Sequence, residues 1–209
     1  MPTNGETAAL CAAIYDPSFK DWDYYWDGTA PDGICAGIVK NNLIFRGSIT
    51  KEDWERDFEV IKLGAPKEHP QFGIVHAGMD EGLDEFCKKA FPFLGDGASF
   101  GGHSLGAAHA WGAAGRYVLG GSNAGGITVF GSPKYGCRKF AEFIAPYPKA
   151  SYRNGLDPVT EVPFLIGLEV AVAPQEPKNI LIEPADWSEG PMAWHSVNLY
   201  KQGVQSIGA

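Results

Sequence analysis

The stretch that most constrains this chain is Gly101-Gly102-His103-Ser104-Leu105-Gly106-Ala107-Ala108. Within it Gly102, Ser104 and Gly106 stand at the spacing G-x-S-x-G. A serine so flanked belongs where a strand turns sharply into a helix: the glycines lack side chains that collide at the turn, and the hydroxyl is held exposed on a strained backbone. A chain with 27 glycines produces such spacings by chance, so the context has to decide. A short apolar run, Ala98-Ser99-Phe100, lies before the motif, and Leu105 to Leu119 (LGAAHAWGAAGRYVL) reads as an Ala-rich helix after it. Strand, elbow and helix therefore follow in the order the motif requires, although this strand is shorter and less β-branched than a central strand should be. Ser104 is the first candidate nucleophile.

Around that elbow the chain alternates elements. Glu6 to Tyr15 reads as a short helix stopped by Pro17. Asp21 to Gly28 concentrates aromatic rings between acids, which suits a segment capping the core or, more sharply, rings lining an acyl pocket. Gly33 to Val39 and Leu43 to Phe45 read as a β-hairpin turning at Lys40-Asn41-Asn42. Thr50 to Leu63 is heavily charged and ambiguous between a helical turn and an irregular strand, and Pro66 and Pro70 punctuate a loop. Gly73 to Val75 is a short strand, and Met79, Leu83, Phe86 and Ala90 fall at helical spacing over Met79 to Ala90. Beyond the elbow helix come a strand at Ile127 to Phe130, a helix at Arg138 to Ile144, a strand at Ala150 to Arg153, a last strand at Ile180 to Ile182 and a closing helix at Val197 to Val204. This alternation predicts an α/β fold with a mostly parallel central sheet, an N-terminal β-hairpin and helices on both faces.

Composition narrows the function. At 209 residues and 44% hydrophobic content, residues 1–209 read as one domain able to bury its own core. The net charge of −8, from 17 basic and 25 acidic residues without a basic cluster, excludes attraction to nucleic acid or to an anionic membrane. A small neutral or amphipathic substrate fits better. Cys11, Cys35, Cys87 and Cys137 lack C-x-x-C spacing and read as buried thiols, not as a zinc or redox motif. Neither a basic n-region with an apolar run nor a span of about 18 apolar residues is present, so the expectation is a soluble protein, cytoplasmic rather than secreted.

A serine nucleophile needs a base, and the base needs a carboxylate; α/β-hydrolases present them in the chain order Ser, Asp/Glu, His. Of the five histidines, His69 and His76 precede Ser104, and His103 is its neighbour. His109 lies on the same helix, about 140° around its axis, badly aimed to reach back. His195 remains. Asp157, just past the strand Ala150 to Arg153 and followed by Pro158, is the best-placed acid; Asp186, Glu183 and Glu161 are rivals. An oxyanion hole takes one backbone N–H from the residue after the nucleophile, Leu105, and a second from an earlier loop, for which Ser48 in Arg46-Gly47-Ser48 is placed.

With these pieces assembled, the chain resembles the class 3 lipases, the fungal-lipase-like branch of the α/β-hydrolases. The matching stretches, in the family's order, are Ile44 to Ser48, Val75 to Gly78, Gly102 to Ala108, Val129 to Gly136, Asn154 to Val159 and the terminal His195. The resemblance implies carboxylic ester hydrolysis with Ser104 as nucleophile, Asp157 as acid, His195 as base, Ser48 and Leu105 as oxyanion residues, and no metal or organic cofactor. It gives Arg46 a structural role, its guanidinium tying loops together, and makes His76 a packing or hydrogen-bonding residue beside the site. Ile49 to Phe58 looks like the family's short acidic connection rather than an amphipathic lid helix, which implies an open site and weak dependence on an oil–water interface. Short- to medium-chain acyl esters are the expected substrates. A phospholipase A1, a polymer esterase and a catalytically silent hydrolase-fold module are the alternatives, and oligomeric state is left open.

Overall fold

The computed structural model describes residues 2–29, 33–48, 65–172, 180–184, 187–190 and 193–208. Helix α1 (Asn4–Ala13) opens the chain, its first turn closed by a capping box between Thr3 and Glu6. The strands β1 (Tyr24–Asp27), β2 (Cys35–Val39) and β3 (Asn42–Phe45) follow as an antiparallel meander. Next come β4 (Pro66–His69), β5 (Gly73–His76) and the helices α2 (Ala77–Asp80) and α3 (Leu83–Ala90). The strand β6 (Ala98–His103) leads into helix α4 (Leu105–Leu119), then β7 (Ala124–Phe130), β8 (Gly136–Cys137) and helix α5 (Arg138–Ile144). The chain closes through β9 (Lys149–Asn154), β10 (Leu165–Ile166), β11 (Glu169–Val172), β12 (Ile180–Ile182) and helix α6 (Val197–Ser206).

The main sheet has seven strands in the order β1-β2-β3-β6-β7-β9-β12, parallel from β3 onward. Side chains alternate across it with the strand period of two. Leu43, Phe45, Phe100, Ile127 and Val129 face α4, whereas Ile44, Phe130, Tyr152 and Ile182 face the other way into a cluster with α1 and α6. Helix α4 lies against the sheet on its small residues, with Trp111 fully buried and its indole N–H donating to Ser132 Oγ at 3.1 Å. Truncating such a ring costs about 3–5 kcal/mol. The expected α/β architecture, mostly parallel with helices on both faces, is therefore present.

Several expectations need correction. The lead-in to the elbow is not a three-residue strand: β6 runs on to His103 and all six residues are buried. Its poverty in β-branched residues reflects crowding, since a Cβ at Gly101 would stand 2.6 Å from Thr7 of α1. The single helix expected over Met79 to Ala90 is two, α2 and α3, broken at Gly82, which takes φ +74°. The loop expected around Pro66 contains β4, where Pro is tolerated as the first residue of an edge strand. That strand belongs to a second sheet, five antiparallel strands in the order β10-β11-β8-β5-β4, which the alternation of elements did not announce. The aromatic segment adds β1 to the hairpin, with Trp22 covering Gly37 and Trp26 edge-on to Phe86. Residues 50–63 lie outside the described residues. All four cysteines are free and buried, and among the described residues no helix is long and apolar enough to cross a membrane.

Candidate active site

The elbow is where the geometry is tightest. Ser104 has φ +59° and ψ −129°, a backbone conformation that costs of order 1–3 kcal/mol in a non-glycine residue. It is held there by its own N–H, which donates to Phe130 O at 3.0 Å. The flanking glycines are obligatory. A Cβ at Gly102 would lie 2.1 Å from Gly106 O, and one at Gly106 would lie 2.4 Å from Phe45 O.

Three distant parts of the chain converge on that serine. His195, at the end of a single 3-10 turn (Ala193–His195) before α6, places Nε2 2.8 Å from Ser104 Oγ. Its Nδ1 stands 2.7 Å from Oδ2 of Asp157. Asp157 follows β9 and caps a 3-10 turn (Pro158–Glu161), its Oδ1 accepting from Val159 N at 2.9 Å. Its side chain is fully buried. Burial works against the carboxylate charge, but the facing His195 and hydrogen bonds from His195, Tyr200 and Val159 outweigh it and hold the group below the ordinary carboxylate range. The acid therefore stays ionised, as a group that orients an imidazole must.

Two residues that sequence reasoning left aside complete this arrangement. Tyr200 of α6 donates to Asp157 Oδ2 at 2.6 Å and accepts from Asn154 N at 3.0 Å. Gly131 has φ +55°, and a Cβ there would stand 2.9 Å from both Asp157 Oδ2 and the His195 ring. Only a residue without a side chain lets the acid–base pair pass so close to the end of β7. Neither carried a local signal: Tyr200 falls inside the closing helix expected over Val197 to Val204, and Gly131 just past the strand expected over Ile127 to Phe130.

The oxyanion candidates flank the serine. Leu105 is the first residue of α4, where amides have no acceptor within the helix and the helix dipole favours negative charge. Ser48 follows Gly47, which is packed so closely on the elbow that a Cβ there would lie 2.9 Å from Ser104 Cβ and 2.6 Å from His103 O. The loop after β3 is thus seated beside the nucleophile.

The remaining candidates go elsewhere. Glu161 pairs with Arg153, and Glu183 is exposed; Asp186 lies outside the described residues. His109 is buried beside Phe45, its imidazole pushed down to about 4 by burial, and among the described residues its Nδ1 has no hydrogen-bond partner. His76 caps α2, accepting from Met79 N at 3.2 Å. The backbone N–H of Arg46 bonds Cys35 O, and its guanidinium Nε is buried without a hydrogen-bond partner among the described residues.

Comparison with known proteins agrees with this picture. A family model described as lipase (class 3) matches residues 42–166, the span that holds the hairpin's second strand, the elbow and the Asp157 loop. The chain belongs to the class 3 lipase family. No curated protein sequence matches this class 3 lipase. Among solved structures it is similar to the lipase of Rhizopus microsporus var. chinensis, at a TM-score of 0.62 and 19% identity over 76% of this chain and 68% of that one. The Rhizomucor miehei triacylglyceride lipase matches at 0.60 and 18%, over 88% and 80% of the two chains. The mono- and diacylglycerol lipase of Aspergillus oryzae matches at 0.61 and 17%, over 88% and 80%. At such identities the likeness is one of fold, and this class 3 lipase has the fungal-lipase α/β-hydrolase fold.

Proposed function

We propose that this class 3 lipase hydrolyses carboxylic esters of short to medium acyl chain length through an acyl-enzyme on Ser104. The observation that carries the reading is the unbroken line Ser104 Oγ, His195, Asp157, with contacts of 2.8 and 2.7 Å. Ser104 Oγ attacks the ester carbonyl carbon as its proton passes to His195 Nε2, and the carbonyl electron pair moves onto oxygen. The resulting oxyanion takes hydrogen bonds from the Leu105 and Ser48 amides; losing one such donor costs about 10²–10³ in kcat. Asp157 holds the Nδ1–H tautomer and stabilises the imidazolium. Collapse breaks the bond to the alkoxide, which leaves as the alcohol with the proton from Nε2. Water then attacks the acyl-enzyme, gives its proton to Nε2, and the acid departs as Oγ recovers that proton.

The charged sequence Lys51-Glu52-Asp53-Trp54-Glu55-Arg56-Asp57 supports weak dependence on an oil–water interface. The lipases similar in fold are described as acting on triacylglycerides and on mono- and diacylglycerols, which supports including glycerol esters among the substrates tried. The test is an acyl chain-length series of p-nitrophenyl and glycerol esters, below and above their solubility, on wild type and Ser104→Ala. Hydrolysis by wild type, falling with long chains and without a jump at the solubility limit, is expected. Turnover by Ser104→Ala equal to wild type would refute the reading.

A further inference from the structure

The reaction cycle above makes no use of the residue immediately before its nucleophile. His103 is 5% exposed, and its ring lies 4.7 Å, centroid to centroid, from that of His195. It does not face the Ser104 hydroxyl chemistry. Its Nε2 stands 2.7 Å from the backbone oxygen of His195, and its Nδ1 3.0 Å from the hydroxyl of Tyr15, the second residue past α1. That same hydroxyl takes the N–H of Gly47 at 2.9 Å.

The proton positions along this chain are forced. A carbonyl only accepts, so His103 Nε2 carries the proton. Burial, with the His195 ring alongside, pushes the His103 imidazole down to about 3, so the ring is neutral and its Nδ1 is an acceptor. An amide N–H only donates, so the Tyr15 oxygen accepts from Gly47 and its own proton goes to His103. Every donor meets an acceptor in one order: Gly47 N–H to Tyr15, Tyr15 O–H to His103 Nδ1, His103 Nε2–H to His195 O.

We propose that Tyr15 and His103 are positioning residues for ester hydrolysis: a proton-ordered tie that runs from the oxyanion loop at Gly47, through the elbow, to the backbone of the base at His195. The inference rests on the ester-hydrolase reading of this site. Both ends of the tie lie outside the sheet. Ser48 lies three residues beyond the end of β3, and His195 ends a single 3-10 turn ahead of α6. Groups on loops need a supporting shell if amide, imidazole and hydroxyl are to stay within about half an ångström of productive geometry. Here two side chains in series, Tyr15 on the Gly47 loop and His103 next to Ser104, take up both loops. Gly47 is small for the same reason, since a Cβ there would lie 2.8 Å from the Tyr15 hydroxyl. Helix α1 supplies the anchor, with Ala8, Cys11 and Ile14 buried against Ile44, Phe130 and the α6 residues Tyr200 and Val204.

The test uses Tyr15→Phe, which keeps the ring and removes only the shared hydroxyl, and His103→Phe, which keeps ring volume and removes both nitrogens. Each is assayed for kcat and KM on a soluble p-nitrophenyl ester and for the rate of fluorophosphonate labelling, with thermal unfolding alongside. Each variant is expected to lose about tenfold or more in kcat and in labelling rate with KM within about twofold, because the binding surface is intact and the reacting groups are misplaced. Because the bonds lie in series, the double variant is expected to match the weaker single one, not to multiply the two losses. Either folded single variant retaining wild-type kcat and labelling, or losses that multiply, overturns the tie. Wild-type protein that neither labels nor hydrolyses overturns the ester-hydrolase reading, and the tie with it; labelled wild type beside an unchanged Tyr15→Phe overturns the tie alone.

Discussion

The hydroxyl of Tyr200 donates to Oδ2 of Asp157 at 2.6 Å, and that same oxygen faces Nδ1 of His195 at 2.7 Å. The acid is thus shared between a neutral donor from α6 and the imidazole. A donor that spreads the carboxylate charge lowers the acid's own affinity for protons and weakens its pull on an imidazolium. Removing it in Tyr200→Phe leaves Asp157 more basic and the imidazolium better stabilised. With that lowering hydrogen bond gone, Asp157 takes up a proton at higher pH, so the acid-side loss of kcat/KM is expected to begin at higher pH, and the protein to lose stability because Asn154 N–H loses its buried acceptor. Parallel pH–rate profiles and urea unfolding of the two proteins check both parts.

Gly131→Ala attacks the same pair sterically. The new methyl group would have to stand 2.9 Å from Asp157 Oδ2 and from the His195 ring on a backbone at φ +55°. Displacing reacting groups by about 1 Å costs on the order of 10²-fold in rate. The expected result is a loss of that size in kcat, with labelling of Ser104 slowed in step, measured on protein whose folding is verified by circular dichroism.

Acid stability is expected to depend on a group outside the site. Asp80 is fully buried and accepts from Lys67 at 2.5 Å, Arg116 at 2.8 Å, His69 at 3.0 Å and the Tyr135 hydroxyl, tying β4 to α4. Burial disfavours its charge, yet Arg116 and Lys67 prevail and lower it from 3.8 to about 2. A folded-state value below the unfolded one means that the stabilisation is complete above about pH 4 and is lost as pH falls toward 2; it amounts to about 2 kcal/mol. Asp80→Asn is expected to be less stable at neutral pH, since the buried Arg116 loses its buried carboxylate and keeps only the exposed Asp84 as an ionic partner, and to show a flatter decline between pH 4 and 2. Urea midpoints across that range measure it.

How far the sequence revealed all this differs residue by residue. The elbow was legible because G-x-S-x-G reports a steric fact, the 2.1 and 2.4 Å approaches at Gly102 and Gly106, that no other residue satisfies. Chain order, with the place of Asp157 after a strand and of His195 before the closing helix, brought the same three groups together that the fold does. The break at Gly82 was hidden because Met79, Leu83, Phe86 and Ala90 are all buried, so helical periodicity survives across it. The strand β4 was hidden because Pro-Lys-Glu-His has the polarity of a loop, and its place as an edge of a second sheet comes from pairing with β5. Tyr15, Tyr200 and Gly131 matter only through partners between 26 and 88 residues away, for which a linear pattern has no symbol.

The central claim is that the hydroxyl of Ser104 is a nucleophile activated by His195. Its most direct measurement is reaction with a fluorophosphonate, followed by intact mass and peptide mapping, on wild type, Ser104→Ala and His195→Ala. The account predicts one covalent adduct, mapped to Ser104, on wild type, none on Ser104→Ala, and labelling slowed by about 10³-fold or more on His195→Ala. An adduct on another residue with ester hydrolysis undiminished in Ser104→Ala, or folded wild type that takes no adduct at all, would contradict it.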